Sequence, residues 1–118
     1  MSNDPRLLTD RNIWLATVRP DGRPHLVPIW FCFLRGLFYV CTESKSVKAH
    51  NLASNPRVSL ALEDGTKPLI AQGLATIVQA PFPADVLEAF KAKYAWDITT
   101  DASYNTLIEI APQRWLKW

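Results

Sequence analysis

Residues 26–34 and 37–42 are apolar runs separated only by Arg35 and Gly36. A two-residue loop carrying glycine joins antiparallel strands, because strand twist demands positive φ at the turn and glycine accepts it. That loop length sets a register in which Leu34 faces Leu37, Cys32 faces Tyr39, and Cys41 falls opposite Trp30. The two cysteines of the chain are then diagonal rather than directly paired, which disfavours a disulfide between them. Neither has CxxC or Cys/His metal spacing, so both are read as reduced thiols.

Further strands are expected at residues 14–18, 57–62 and 69–79, with a last one from 107 towards the C-terminus. Pro20-Asp21-Gly22 suits a tight turn after the first strand. Gly73 interrupts the 69–79 strand and marks a bulge or close backbone approach. A short helix is expected at 44–53, with Ser44 as its N-cap and Asn55-Pro56 as its stop. A second is expected at 84–94, with Asp85 and Glu88 at capping-box spacing and Val86, Leu87, Phe90 and Tyr94 on one face. Residues 96–105 read as a polar loop.

A chain of 118 residues is the size of one domain, spanning 1–118. Its strands show near-continuous apolar runs rather than clean alternation, so both faces are expected to be covered. The fold that satisfies this is mainly β (or α+β) with two short helices: a six-stranded antiparallel barrel whose outside packs on a second copy, hence a homodimer.

Charge excludes some partners. Thirteen Lys+Arg stand against eleven Asp+Glu, for a net charge of +2, and no run of like charge gives nucleic acid electrostatic support. The longest apolar run, 26–34, is about half the length of a spanning helix, and the N-terminus has no signal-peptide architecture. A cytoplasmic protein with no membrane partner is expected. A GxGxxG loop, a P-loop and HExxH are all missing. Five tryptophans are many for this length and call for buried surface beyond the core, against a flat ligand or a dimer partner.

Two segments stand out as candidate sites. In His25-Leu26-Val27-Pro28-Ile29-Trp30-Phe31, Pro28 cannot donate to a ladder, so the strand has an edge near it. Backbone groups freed there could meet the polar edge of a planar heterocycle; the alternative is an edge strand whose proline blocks aggregation. In Thr42-Glu43-Ser44-Lys45-Ser46-Val47-Lys48, three hydroxyls and two lysines lead into a helix, whose free N–H groups and partial positive charge make a phosphate site. The alternative there is an ordinary N-cap followed by solvated lysines. His25 and His50 lack spaced carboxylate partners, so no metal site is expected.

At these same residues the sequence resembles the FMN-binding split barrels related to pyridoxamine 5′-phosphate oxidase. The likeness is strongest over Cys41-Thr42, Ser46-Val47-Lys48-Ala49-His50-Asn51-Leu52 and Asn55-Pro56-Arg57-Val58-Ser59-Leu60. It extends more weakly to Leu15-Ala16-Thr17-Val18 with Asp21-Gly22, to Gly73-Leu74-Ala75, and to the closing stretch 112–118. The resemblance implies a split barrel with FMN at the interface of two subunits. His25, Leu26, Val27, Pro28, Ile29 and Trp30 would meet the isoalloxazine and ribityl mostly through backbone. Cys41 and Thr42 would border the ring, Ser46 and Lys48 would bind the phosphate, and Lys45 would assist by charge. Trp118 resembles the family's C-terminal tryptophan, which approaches the flavin of the other subunit.

The resemblance also implies an oxidoreductase that passes hydride or electrons through the flavin N5 to or from a small-molecule substrate. In such a site the cofactor carries the chemistry and the protein positions it, so no side chain is named as catalytic. The chain departs from the oxidase at two cationic positions: Val47 and His25 stand where the oxidase has arginines. Phosphate binding is therefore expected to rest on fewer cations, which disfavours the longer phosphate-bearing tail of the deazaflavin F420 relative to FMN. A non-enzymatic flavin or haem carrier or sensor is the alternative outside the enzyme class.

Overall fold

The computed structural model describes residues 3–116. A short helix α1 (Arg6–Thr9) leads into strands β1 (Asn12–Val18), β2 (Pro24–Trp30), β3 (Cys32–Leu34) and β4 (Leu37–Thr42). Helix α2 (Val47–Ser54), strands β5 (Arg57–Leu62) and β6 (Ile70–Val78), helix α3 (Ala84–Tyr94), a 3-10 turn at Ile98–Thr100 and strand β7 (Thr106–Leu116) complete the order. The strands form one antiparallel sheet in the order β2-β1-β5-β6-β7-β4-β3. Its two ends, β2 and β3, are joined through Phe31 alone, so the sheet must curl back on itself as a split barrel, and β2 comes against β4.

The sheet has seven strands rather than the expected six because the run 26–34 breaks at Phe31. The cause lies on α3. The Phe31 N–H donates to the Tyr94 hydroxyl at 3.0 Å, and the Phe31 carbonyl accepts from Lys93 Nζ at 2.9 Å. Both backbone groups are thus satisfied by side chains instead of a ladder. The break also corrects the expected pairing of Cys41 with Trp30: Trp30 pairs with Asn12 of β1.

Beyond the break the hairpin is as read from its loop. Arg35 and Gly36 take φ of 54° and 75°, the mirror-image turn that matches strand twist. Cys32 faces Tyr39, Phe33 faces Phe38 and Leu34 faces Leu37. Pro28 lies on β2, the end strand of the sheet, paired on one side to Trp14. Gly73 sits at a register shift next to Gln72. A Cβ there would lie 2.2 Å from the Ala111 carbonyl oxygen, so only glycine permits this approach.

The core has two parts, one on each face of β4. Ile13, Leu15, Phe38, Val40, Leu60 and Ile108 fill the barrel with others. Tyr39, Cys41, Leu107, Val86, Phe90 and Tyr94 pack under α3. β4 is therefore covered on both faces, as expected. β2 is not: its residues alternate between half-buried and exposed, and Leu26 is 60% exposed.

Two caps differ from expectation. The N-cap of α2 is Ser46, whose side chain accepts from the Ala49 N–H at 3.2 Å, and the helix runs Val47–Ser54. Ser44 sits in the preceding turn, where its N–H is held by Asn105 Oδ1 at 3.1 Å. At α3 no side chain caps the first turn; Asp85 pairs instead with Arg35 of the hairpin. Among the described residues no helix is long and apolar enough to cross a membrane.

Candidate functional site

Helix α2 is fastened over one end of the barrel by a buried contact. Asn51 Nδ2 donates to Thr17 Oγ1 of β1 at 3.0 Å, and both residues are buried. A satisfied hydrogen bond between buried side chains fixes helix against strand, since breaking it strands two polar groups. The same contact brings the start of α2 beside the turn that follows β1. That turn is closed by the Arg19 N–H donating to Arg23 O and the Gly22 N–H donating to Arg19 O.

Between turn and helix lies a cleft of about 690 Å³ lined by Arg19, Arg23, Lys45, Ser46 and His50 among others. Arg23 is paired to Asp21 at 2.7 Å; among the described residues Arg19 has no ion pair. Ser46 takes one first-turn N–H, and Thr42 Oγ1 donates to Ser46 Oγ at 3.3 Å. The remaining first-turn N–H groups have no partner within the helix, and the helix dipole adds to the field. Anion binding is the chemistry this cleft supports. Arg19 and Arg23 reach this cleft from a turn that sequence distance hides, and Asp21, which pairs with Arg23, lines it too.

A second cleft, of about 570 Å³, is lined by Pro28, Ile29 and Trp30 of β2, Cys41 of β4, Lys48 of α2, and Trp96 and Tyr104. Its walls are aromatic. Trp30 stacks on Tyr94 with centroids 4.4 Å apart and planes 8° from parallel. Trp96 stands perpendicular to Trp30 at 5.9 Å and to Tyr104 at 5.4 Å, with its Nε1 donating to Asp101 Oδ2 at 3.3 Å. The stretch 96–105 reads as a polar loop in the sequence, and the signal it carries for this cleft is the aromatic pair Trp96 and Tyr104.

Burial shifts the titratable groups here. Burial lowers the Lys48 pKa, with Glu43 opposing. Burial pushes the Cys41 thiol up to about 11, aided by Asp101, and the thiol donates to Tyr104 O at 3.2 Å. Cys41 is therefore a neutral wall of the cleft and not a nucleophile.

His25 pairs with Thr17 across β1 and β2, and along the chain it falls between Arg23 of the first cleft and Pro28 of the second. Its pKa is lowered first by burial, then by Arg19 of the first cleft and Lys48 of the second. Its Nδ1 is buried and has no hydrogen-bond partner among the described residues.

The structure thus gathers Pro28, Ile29, Trp30, Cys41 and Lys48 in one cleft and Lys45 and Ser46 in the other. Thr42 bonds to Ser46, and His25 is among the lining residues of neither cleft. Leu26 is exposed and Val27 pairs with Leu15; neither lines these clefts. Trp118 lies outside the described residues. Among the described residues no group of three His, Cys, Asp or Glu could hold a metal ion.

The family model described as pyridoxamine 5′-phosphate oxidase matches residues 6–118. No curated protein matches the sequence significantly. Among solved structures, a conserved hypothetical protein from Mycobacterium tuberculosis is 31% identical with a TM-score of 0.78, covering 100% of this chain and 84% of that one. An F420 reductase is 27% identical with a TM-score of 0.78, covering 98% of each chain. HutZ, the haem storage protein from Vibrio cholerae, is 23% identical with a TM-score of 0.81, covering 99% and 95%. This last likeness concerns the fold.

Proposed function

The chain belongs to the pyridoxamine 5′-phosphate oxidase family, and from that premise we propose that it is a flavin-dependent oxidoreductase holding FMN and acting on a small molecule. One observation carries the reading: a cationic cleft and an aromatic cleft meet at the start of α2, where Lys45 and Ser46 line the first and Lys48 lines the second. A flavin nucleotide has the same sequence of parts, an anionic end, a polyhydroxy linker and a planar ring. The residues fit such a group. Ser46, Lys45 and the first turn of α2 meet the phosphate, with Lys48 adding charge from the ring side. Pro28, Ile29 and Trp30 line the ring, and Trp96 and Tyr104 shield it from water. When bound, the flavin supplies hydride or electron exchange through its N5.

A second copy of the chain belongs to this reading. The outer side of β2 and β1 carries Leu26, Trp30 and Trp14, all exposed, and Trp14 sits opposite Pro28. Contiguous apolar surface of this kind is an interaction site, and a homodimer would cover it beside the ring cleft.

F420 is the second reading. Arg19, which has no ion pair among the described residues, adds a cation to Lys45 in the first cleft, and the F420 reductase is 27% identical over nearly the whole chain. Titrating the protein separately with FMN and F420 and following tryptophan fluorescence tests both. The flavin reading expects saturable quenching by at least one of them, and Trp30 and Trp96 give the signal. Absence of binding by both would end it.

A further inference from the structure

Away from both clefts, a recess of about 280 Å³ opens where α1, β3 and α3 meet. Leu7, Leu8 and Phe33 make it apolar, and among its lining residues only Cys32 and Lys93 carry reactive groups. Cys32, 3% exposed, lies at its floor, and Leu8, 65% exposed, stands at its mouth. The break in the sheet brings the two groups together. Lys93 Nζ donates to the Phe31 carbonyl at 2.9 Å, and that carbonyl is bonded directly to the Cys32 nitrogen. Each group also acts on the other, the thiol raising the lysine pKa and the lysine lowering that of the thiol. The aromatic cleft holds a cysteine and a lysine too, Cys41 and Lys48, yet neither is among the influences on the other.

Apolar surroundings favour the neutral form of both groups. Burial brings Lys93 down to about 8 and pushes Cys32 up to about 11. Asp10 opposes the lysine shift and Arg11 adds to it, and the Tyr94 hydroxyl, pushed up to about 12, stays uncharged. Near pH 8 a large share of Lys93 is thus free amine, whose lone pair is open while one N–H serves Phe31. A neutral amine attacks a carbonyl carbon, and a protonated thiol does not compete for that first attack.

We propose that this recess is a covalent capture site for a small apolar aldehyde, held between Lys93 and Cys32. The amine adds to the aldehyde carbon and water leaves, giving an imine. The imine nitrogen then takes the thiol proton, and the sulfur bonds to the same carbon. The product is an N,S-acetal, formed with loss of one water and no electron gained or lost. The site is independent of the flavin reading.

Propanal is the probe, mixed with the protein near pH 8 and followed by gel filtration and intact-mass measurement. The unsubstituted protein is expected to gain one propanal less one water, and its digest to contain the Cys32 peptide joined to the Lys93 peptide. The adduct should disappear in Lys93→Met and in Cys32→Ala and persist in Cys41→Ser. At sub-saturating propanal its yield should rise about tenfold from pH 6 to pH 7, following the free amine. Circular dichroism confirms folding, and the joined peptides of the unsubstituted protein decide the matter where a variant folds poorly. An adduct that survives Cys32→Ala would be a plain imine and overturn the bridge. Adducts spread over several lysines, a bridge between Cys41 and Lys48, or no adduct would overturn the site.

Discussion

The side chain of Tyr94 stands in for a strand at Phe31. Its hydroxyl accepts from the Phe31 N–H at 3.0 Å and has the carbonyl oxygens of Arg11 at 2.7 Å and Phe31 at 2.9 Å within reach of its proton. The same residue's ring stacks on Trp30 and lines the aromatic cleft. One side chain of α3 therefore ends β2, starts β3 and builds a wall of the candidate site.

Tyr94→Phe is expected to remove the hydroxyl and keep the stack. It leaves the Phe31 N–H buried and unpartnered, at a cost of about 1–3 kcal/mol. Urea unfolding should show that loss while ring-ligand affinity changes little. Equal stability of the two proteins would contradict the role given to the hydroxyl.

The N-cap of α2 and a residue of its first turn should separate stability from binding. Ser46→Ala removes the helix cap and is expected to cost about 0.5–2 kcal/mol of stability. Lys48→Ala removes a half-buried cation with no ion pair among the described residues, so the fold should persist. Flavin affinity should fall about 10- to 150-fold, the loss of one charge-assisted contact of roughly 1.5–3 kcal/mol. Chemical denaturation and ligand titration on both variants check this; unchanged affinity in Lys48→Ala would defeat the part given to Lys48 in holding flavin.

Lys93 gives the protein a pH signature. Burial holds its ammonium down to about 8 against an ordinary 10.5, with Cys32 and Asp10 opposing and Arg11 adding. Between those values the unfolded chain binds more protons at this site than the folded one, so its contribution makes stability rise with pH. The Cys32 and Cys41 thiols act in the other direction: burial holds them at about 11 against 9.0, and above pH 9 the folded chain keeps protons that the unfolded chain has lost. Stability should rise from pH 8 to 9 and fall towards 11. Lys93→Met should abolish the rise and keep the fall, as read from urea midpoints; parallel profiles would contradict it.

Leu26 tests the second copy. It is 60% exposed on β2 opposite Ala16, so Leu26→Glu should leave the chain folded. Sedimentation should show a dimer for the unsubstituted protein and a monomer for the variant. A monomer in both cases would remove the dimer from the account.

What could be read in the sequence was local. The Arg35-Gly36 turn carries its own geometry, which sets β4 and the hairpin register, and a glycine inside an apolar run marks the bulge at Gly73. The bounds of β5 and α3 were also legible, from Pro56 before one and Pro83 before the other. What was hidden depends on residues far along the chain. Phe31 breaks a strand because Tyr94, 63 positions later, takes its backbone groups. Ser46 rather than Ser44 caps α2 because a turn, closed by the Ser46 N–H donating to the Glu43 carbonyl, delays the helix start to Val47. The site shows the same division. Ser46, Lys48 and the Pro28-Ile29-Trp30 wall carry recognisable motifs. Arg19 and Arg23 reach the helix start only because Asn51 pins α2 to Thr17, and Trp96 reaches the ring cleft only through the packing of α3.

The most direct test of the account is an absorption spectrum of the purified protein after mixing with excess FMN and gel filtration to remove free ligand. The account predicts that flavin is retained in a one-to-one ratio with the chain, with a band shape perturbed by Trp30 and Trp96. A colourless protein that also fails to retain F420 would contradict it, and retention of haem instead would turn the two clefts into the site of a carrier.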